Sequence, residues 1–246
     1  MAALAELADE QWAHPSRCAG WSNQDVIVHL DSTNSFWAFS IASGLKGEPT
    51  RFLATFDPVA SPAELVAGSQ EIPPTEVLER FTASTAALTD LLEGLTEEDW
   101  TMAAEAPPGH LTVSAVTHHA LWDSWVHERD ILLPLGRPAA EEPDEVAACL
   151  RYGAALAPAF AVTNGDATTG RLAIAVIDPK LEFTVAIDDQ IDVRTGVSGD
   201  ADLTLGGDAV ELLEALSIRR PLDQAIDADV AWMVNGLATQ FDASPR

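Results

Sequence analysis

The hydrophobic spacing of this chain changes once, near Pro143, and that change restricts the possible folds more than any other feature. Ahead of it, apolar residues recur every three or four positions, the repeat of one helical face. Beyond it, after one more helical stretch over 144–160, large apolar residues recur at every second position, as Leu172, Ile174 and Val176 and again as Phe183, Val185 and Ile187. That is the repeat of strands with one face in a core. Residues 1–142 therefore read as a helical unit and residues 143–246 as a smaller α+β unit. A chain of 246 residues, 47% of them hydrophobic, has enough apolar material for a sizeable core.

In the helical part, Ser22 and Asp25 make a capping-box start, and Val26, Leu30, Phe36, Trp37 and Ile41 carry an apolar stripe that should end near Gly44. Residues 47–74 hold five prolines and read as a long loop with a short helix near Glu64. A loop of that length often covers a site. A second long helix is expected over 75–93, and Thr96 to Asp99 should cap a short helix carrying Trp100. After Pro107-Pro108-Gly109, a third runs over 114–133 and stops ahead of Pro134 and Gly136. Past Pro143, a helix over 144–160 leads through Asn164-Gly165-Asp166 into strands over 171–178 and 182–188 about a Pro179-Lys180 turn. Two more strands (191–195 and 201–205) and two helices (208–218 and 229–240) follow. The simplest assembly is an antiparallel sheet with helices on one face.

Composition removes several function classes. With 39 acidic and 13 basic residues the net charge is −26, which repels polyphosphates and anionic membrane surfaces, so nucleic acid is not an expected partner. An anionic substrate must then be received by a local cluster of the few arginines. No uninterrupted apolar stretch reaches the length of a bilayer span, and the N-terminus lacks the basic head and apolar core of a secretory signal. With only Cys18 and Cys149, a disulfide framework is implausible and a cysteine-based zinc site is excluded. A reducing cytoplasm is the expected location.

Chemistry concentrates in Asp123-Ser124-Trp125-Val126-His127-Glu128-Arg129-Asp130. Asp123 and His127 stand one helical turn apart, so both side chains point the same way and supply two legs of a metal site. His29, on a neighbouring helix, can supply a third. Three protein ligands leave a coordination position open, as a catalytic metal requires. His119, Asp123, His127 and Asp130 also form a ladder of titratable groups along one stripe of an otherwise apolar helix, costly to bury without partners. Taken singly, His29 reads as a satisfied interior histidine, and Asp123 with His127 as a helical pair worth roughly a few tenths of a kcal/mol. His119 competes with Asp123 for the ligand role. Cys18, with Arg17 its one basic neighbour in sequence, carries no expected role.

Gly20-Trp21-Ser22 with Asp25-Val26 and His29-Leu30, followed by the run DSWVHERDI from Asp123 to Ile131, resembles the mycothiol-dependent maleylpyruvate isomerase family. That family belongs to the DinB-like superfamily of metal-binding four-helix bundles, and the C-terminal part looks like its smaller, sterol-carrier-like domain. The resemblance implies a divalent metal, usually zinc, on His29, Asp123 and His127, with aspartate standing where the family pattern has glutamate. It places Asp130 at the position of a second acidic residue. Arg219, in Ile218-Arg219-Arg220, falls where the family has an arginine after an apolar helix, usually following glycine. The implied cofactor is mycothiol or a similar small thiol, and the implied substrate a small electrophile. The family opens with a full-length helix; here about ten residues precede Trp12, too few for one.

In such a site a ligated thiol would lose its proton and add to an electrophilic carbon. A cis-enedione acid would leave as its trans isomer after rotation and elimination. Arg219 would hold a carboxylate, and Asp130 would orient a ligand histidine or shuttle a proton. Without elimination the same machinery is a thiol S-transferase. Two rivals remain at this level. One is a non-catalytic bundle stabilised by a metal, with His119 as fourth ligand and an apolar ligand on the C-terminal domain. The other is a metal-dependent hydrolase of thiol conjugates, with Asp130 or Glu128 as base.

Overall fold

The computed structural model describes residues 2–55, 57–69, 71–165, 169–188 and 190–241; Asp166 of the expected turn lies outside them. The chain separates into two compact units, Met1–Ala139 and Ala140–Arg246.

The first unit rests on three long helices, α3 (Asn23–Gly44), α5 (Pro74–Glu93) and α6 (Val113–Leu132). Two short helices, α1 (Ala2–Ala5) and α2 (Asp9–Trp12), precede them, and α4 (Ala60–Ala67) lies in the connection between α3 and α5. The start of α3 is the predicted capping box: Ser22 Oγ accepts from the Asp25 N–H at 3.2 Å, and the Asp25 carboxylate accepts from the Ser22 N–H at 2.8 Å. At its end, the Gly44 backbone passes so close to the Ala103 carbonyl that any Cβ would overlap it.

Two apolar clusters give the helix directions. Val26, Ile27 and Leu30 meet Val77 and Phe81 at one end of α5 and Ile131 and Leu132 at the end of α6. Trp37 and Ile41 meet Leu88 and the α6 start at Val113 and Val116. Hence α3 and α5 run in the same direction and α6 runs against both. A helix the length of α3 spans roughly 33 Å, so a parallel neighbour demands a return connection of that reach. This is the physical reason for the long Pro-rich segment over 47–74, in which α4 is the short helix expected near Glu64. Leu4, Leu7 and Trp12 from the short opening helices pack into the first cluster.

A hairpin of β1 (Ala103–Ala106) and β2 (Gly109–Thr112) is an element the sequence reading does not anticipate. It fills the second cluster with Ala104 and Ala106. Between them Glu105 is buried, and its carboxylate accepts from Thr50 Oγ1 at 2.7 Å and from the N–H groups of Phe52 and Leu53 at 2.8 Å each. Ser40 Oγ donates to the Glu105 carbonyl at 2.9 Å and accepts from its N–H at 2.8 Å. One buried acid thus fastens the start of the long loop to the hairpin and the hairpin to α3.

In the second unit α7 (Pro143–Asn164) precedes β3 (Gly170–Ile177), β4 (Lys180–Ile187), β5 (Ile191–Thr195) and β6 (Leu203–Gly207), with α8 (Ala209–Leu216) and α9 (Trp232–Gln240) closing the order. The strands form one sheet in the order β5-β4-β3-β6. The first three pair antiparallel, as expected. The fourth corrects the expectation: β6 lies parallel to β3, from Leu172 against Leu203 to Val176 against Gly207, so the sheet is mixed. After β5 the chain crosses the sheet instead of turning back. The Gly196 N–H donates to the Glu182 carbonyl at 2.9 Å, the Ser198 N–H to Thr184 Oγ1 at 2.9 Å, and the Asp202 N–H to the Arg171 carbonyl at 3.0 Å. It reaches the far edge travelling in the direction of β3.

Helix α7 packs on β4 and β5 and is flanked by α8 and α9. By length and composition it is apolar enough to cross a membrane, which the sequence reading does not anticipate. Val146, Cys149, Leu150, Ala154, Leu156 and Ala157 are buried in this unit's core, and 61% of the most apolar window is covered. Most of its apolar face is therefore satisfied within the fold.

Candidate metal centre

Because α3 and α6 run antiparallel, His29 stands opposite the middle of α6, between the two apolar clusters. His127 Nε2 is 3.5 Å from Asp123 Oδ1, and His29 Nε2 is 3.9 Å from Asp123 Oδ2. The donor atoms of His29, Asp123 and His127 all lie within 4.8 Å of one another. A tetrahedral zinc with bonds of about 2.0–2.2 Å holds such donors about 3.4 Å apart, so the set needs only a small contraction to close on an ion. The two imidazoles meet edge to face, with centroids 5.0 Å apart at 82°. Trp21 packs against His29 at 5.3 Å, and Thr33 Oγ1 donates to Asp123 Oδ2 at 3.3 Å. Aspartate, one methylene shorter than glutamate, reaches both histidines here.

Burial alone would push the Asp123 carboxyl up. Its pairing with His29 and the nearby His127 and His119 outweigh that effect and hold it well below the usual carboxylate range. Asp123 is therefore an anion at neutral pH, suited to a divalent cation. His119 packs against Trp37 at 4.8 Å and Trp122 at 5.4 Å and is not one of the three clustered donors. Burial pushes its imidazole down to about 4, against the pull of Asp123 and with the help of His29, so it is neutral near pH 7.

Asp130, fully buried one turn beyond His127, lies 2.9 Å from His127 Nδ1. Where Asp130 is ionised it can only accept, from Nδ1–H, which leaves Nε2, on the side of Asp123, as the ring atom that would meet a metal. Asp130 is also met by Arg17 Nε at 3.7 Å and by the Cys18 thiol at 3.2 Å, while the Arg17 N–H donates to its backbone carbonyl at 3.0 Å. Sequence reasoning does not find Cys18 as a neighbour of the site. Its Sγ is 3.7 Å from His127 Nδ1, and these partners lie 109 and 112 residues away, beyond any local spacing signal. Glu128 is half-buried and, about 100° around the helix from His127, turns away from the three donors.

The structure brings together His29, Asp123, His127 and Asp130; Arg219 belongs to the other unit. Its N–H donates to the Glu214 carbonyl at 2.8 Å, closing α8, and Nη1 donates to the Ser217 carbonyl at 3.2 Å. Arg220 is held by Glu211 at 2.7 Å and Asp223 at 3.2 Å. Between Ser217 and Arg219, Ile218 adopts φ +55°, the left-handed conformation that glycine takes most readily. Ile218 thus holds a glycine-like backbone under a β-branched side chain.

Residues 1–132 match the family described as the mycothiol maleylpyruvate isomerase N-terminal domain, a span that includes His29, Asp123, His127 and Asp130. Two crystal structures of the mycothiol-dependent maleylpyruvate isomerase, one carrying a histidine-to-alanine substitution, share the fold. Each aligns with a TM-score of 0.60 over 88% of this chain and 82% of its own, at 16% identity. No curated protein matches the sequence. The family match spans more than half of the 246 residues and coincides with the unit that carries the three donors. On that ground the chain belongs to the mycothiol maleylpyruvate isomerase N-terminal domain family.

Proposed function

We propose that this protein uses a divalent metal, zinc by preference, and a mycothiol-like thiol to convert a small cis-enedione acid of the maleylpyruvate kind into its trans isomer. The observation that carries this reading is the His29, Asp123 and His127 set, whose donor atoms lie within 4.8 Å. His29, Asp123 and His127 would hold the metal through two imidazoles and one carboxylate, a donor set that suits a catalytic rather than a closed structural site. When bound there, the metal supplies Lewis-acid chemistry that renders a coordinated thiol a thiolate at neutral pH.

The chain's own residues prepare that step. Asp130 keeps the Nδ1 proton of His127 and so keeps Nε2 a lone-pair donor, while Thr33 holds one oxygen of Asp123. Arg219 is the proposed receiver of a substrate or thiol carboxylate, because a guanidinium matches that anion in two bonds. The thiolate forms a C–S bond to one olefinic carbon, and the double-bond electrons move to the adjacent carbonyl as an enolate. Rotation about the new single bond follows. Collapse of the enolate expels the thiolate and restores the double bond as trans, with no atom gained or lost.

Two observations weigh against the rival readings. His119 packs against Trp37 and Trp122 and lies outside the three-donor group found among the described residues, which favours the open site. Asp130 is engaged with His127, Arg17 and Cys18, which leaves it poorly disposed to serve as a hydrolytic base. Proton NMR of maleylpyruvate mixed with mycothiol and the zinc-loaded protein tests the proposal. Conversion to the trans isomer that needs both thiol and metal, without a lasting adduct, supports it. A stable thioether would instead assign S-transfer, and no reaction at all would overturn the proposal.

A further inference from the structure

We propose that Cys18, His127 and Asp130 form a second metal site, selective for thiophilic cations, on the opposite edge of the His127 ring from the centre described above. Cys18 Sγ lies 3.7 Å from His127 Nδ1 and 3.2 Å from Asp130 Oδ2, and that oxygen lies 2.9 Å from Nδ1. A tetrahedral ion with a bond of about 2.3 Å to sulfur and about 2.0–2.1 Å to nitrogen and oxygen spaces the same donors about 3.6, 3.6 and 3.4 Å apart. Shifts of about half an ångström therefore close the set around a cation. His127 and Asp130 are buried and Cys18 is half-buried. Arg17 Nε stands 3.7 Å from Asp130 Oδ1, and the Cys18 thiol meets Oδ2.

Donor chemistry sets the preference. A thiolate beside one imidazole and one carboxylate draws cadmium(II), mercury(II) or copper(I) more strongly than a site built from two imidazoles and a carboxylate. The two sites also exclude each other. A neutral imidazole carries one lone pair and one N–H, so ligation through Nε2 needs the proton on Nδ1, where Asp130 accepts it. Ligation through Nδ1 moves that proton to Nε2 and takes both Cys18, as thiolate, and Asp130. A cation on Cys18 therefore withdraws His127 from the first centre. It follows, if the proposed function holds, that thiophilic metals switch the thiol-dependent reaction off.

Titration with cadmium chloride tests the site directly. Zinc-loaded wild type and Cys18→Ser are compared with metal-free His29→Ala by the ultraviolet thiolate-to-cadmium charge-transfer band, and the zinc-loaded proteins also by zinc released to a chromophoric chelator. Wild type should develop the band and lose zinc in step. His29→Ala, which keeps the second donor set, should develop the same band, and that result stands even if the first centre binds nothing. Cys18→Ser should lose the band, with Cys149, buried in α7, retained as an internal control. No band in wild type and His29→Ala, or an undiminished band in Cys18→Ser, would overturn the assignment; a band formed while zinc stays bound would overturn the exclusion.

Discussion

Asp130→Asn separates the chemistry of the His127 tautomer from mere packing, since the amide has nearly the same volume. In the native site the Asp130 carboxylate lies 2.9 Å from His127 Nδ1 at a fully buried position. Such a charge-assisted bond is roughly twice as strong as a neutral one. The amide of the variant can turn either its oxygen or its NH2 to Nδ1, and in both cases the ring loses its anionic partner. Removing a group in this position lowers metal affinity by about 10- to 100-fold, or about 1.4–2.7 kcal/mol. Stability should change less. Arg17 loses a partner at 3.7 Å, but its side chain is 21% exposed. Water can replace much of that interaction, so a cost of about 1 kcal/mol is expected in place of the roughly 3–5 kcal/mol for a fully buried pair. Chelator-competition titration of wild type and variant, with circular dichroism confirming the folded fraction, reads the affinity. A zinc affinity unchanged within about threefold, well short of the 10-fold minimum, would refute the argument.

Glu105→Gln should release the start of the long loop. Three half-buried bonds from Thr50, Phe52 and Leu53 lose their anionic acceptor, and hydrogen exchange at the Phe52 and Leu53 amides should speed up by about 1.5–3 kcal/mol equivalent. Unchanged exchange there contradicts the anchoring role. His119 stays neutral in the fold down to about 4, whereas the unfolded chain takes its proton near 6.5. The metal-free protein should thus keep its full stability above pH 6.5, lose about 2 kcal/mol from pH 7 to pH 5, and level off below about pH 4. Urea midpoints should show that decline in wild type and nearly none of it in His119→Phe; parallel curves would sink the reading. Ile218→Gly should not destabilise, because it relieves roughly 1–2 kcal/mol of left-handed strain against similar losses in chain entropy and partial burial. A fall in stability of more than about 1 kcal/mol would show that the Ile218 side chain matters more than its backbone.

What could be read from the sequence was local or periodic. The α3 cap is legible because Ser22 and Asp25 are three residues apart, and the Asp123 and His127 pair because one turn of α6 joins them. His29 becomes a partner only once α3 lies against α6, and there the family pattern supplied what spacing could not. The β1–β2 hairpin escaped notice because Ala103 to Ala106 are too small to announce a strand, and Pro107-Pro108-Gly109 read as a loop. The parallel placement of β6 is a matter of where the chain crosses after Gly196, which no two-residue alternation encodes. Cys18 was silent for the same reason. Its neighbours His127 and Asp130 are set by how the loop ahead of α3 docks on the end of α6.

The central claim is an ion on His29, Asp123 and His127 with one position left for a thiol. Elemental analysis of purified wild type and His29→Ala, paired with calorimetry of mycothiol binding to each, tests it most directly. The account predicts one divalent metal per wild-type chain, its loss in His29→Ala, and thiol binding only where the metal is present. Metal retained in His29→Ala even when Cys18 is also replaced by serine, or thiol binding indifferent to the metal, would contradict it.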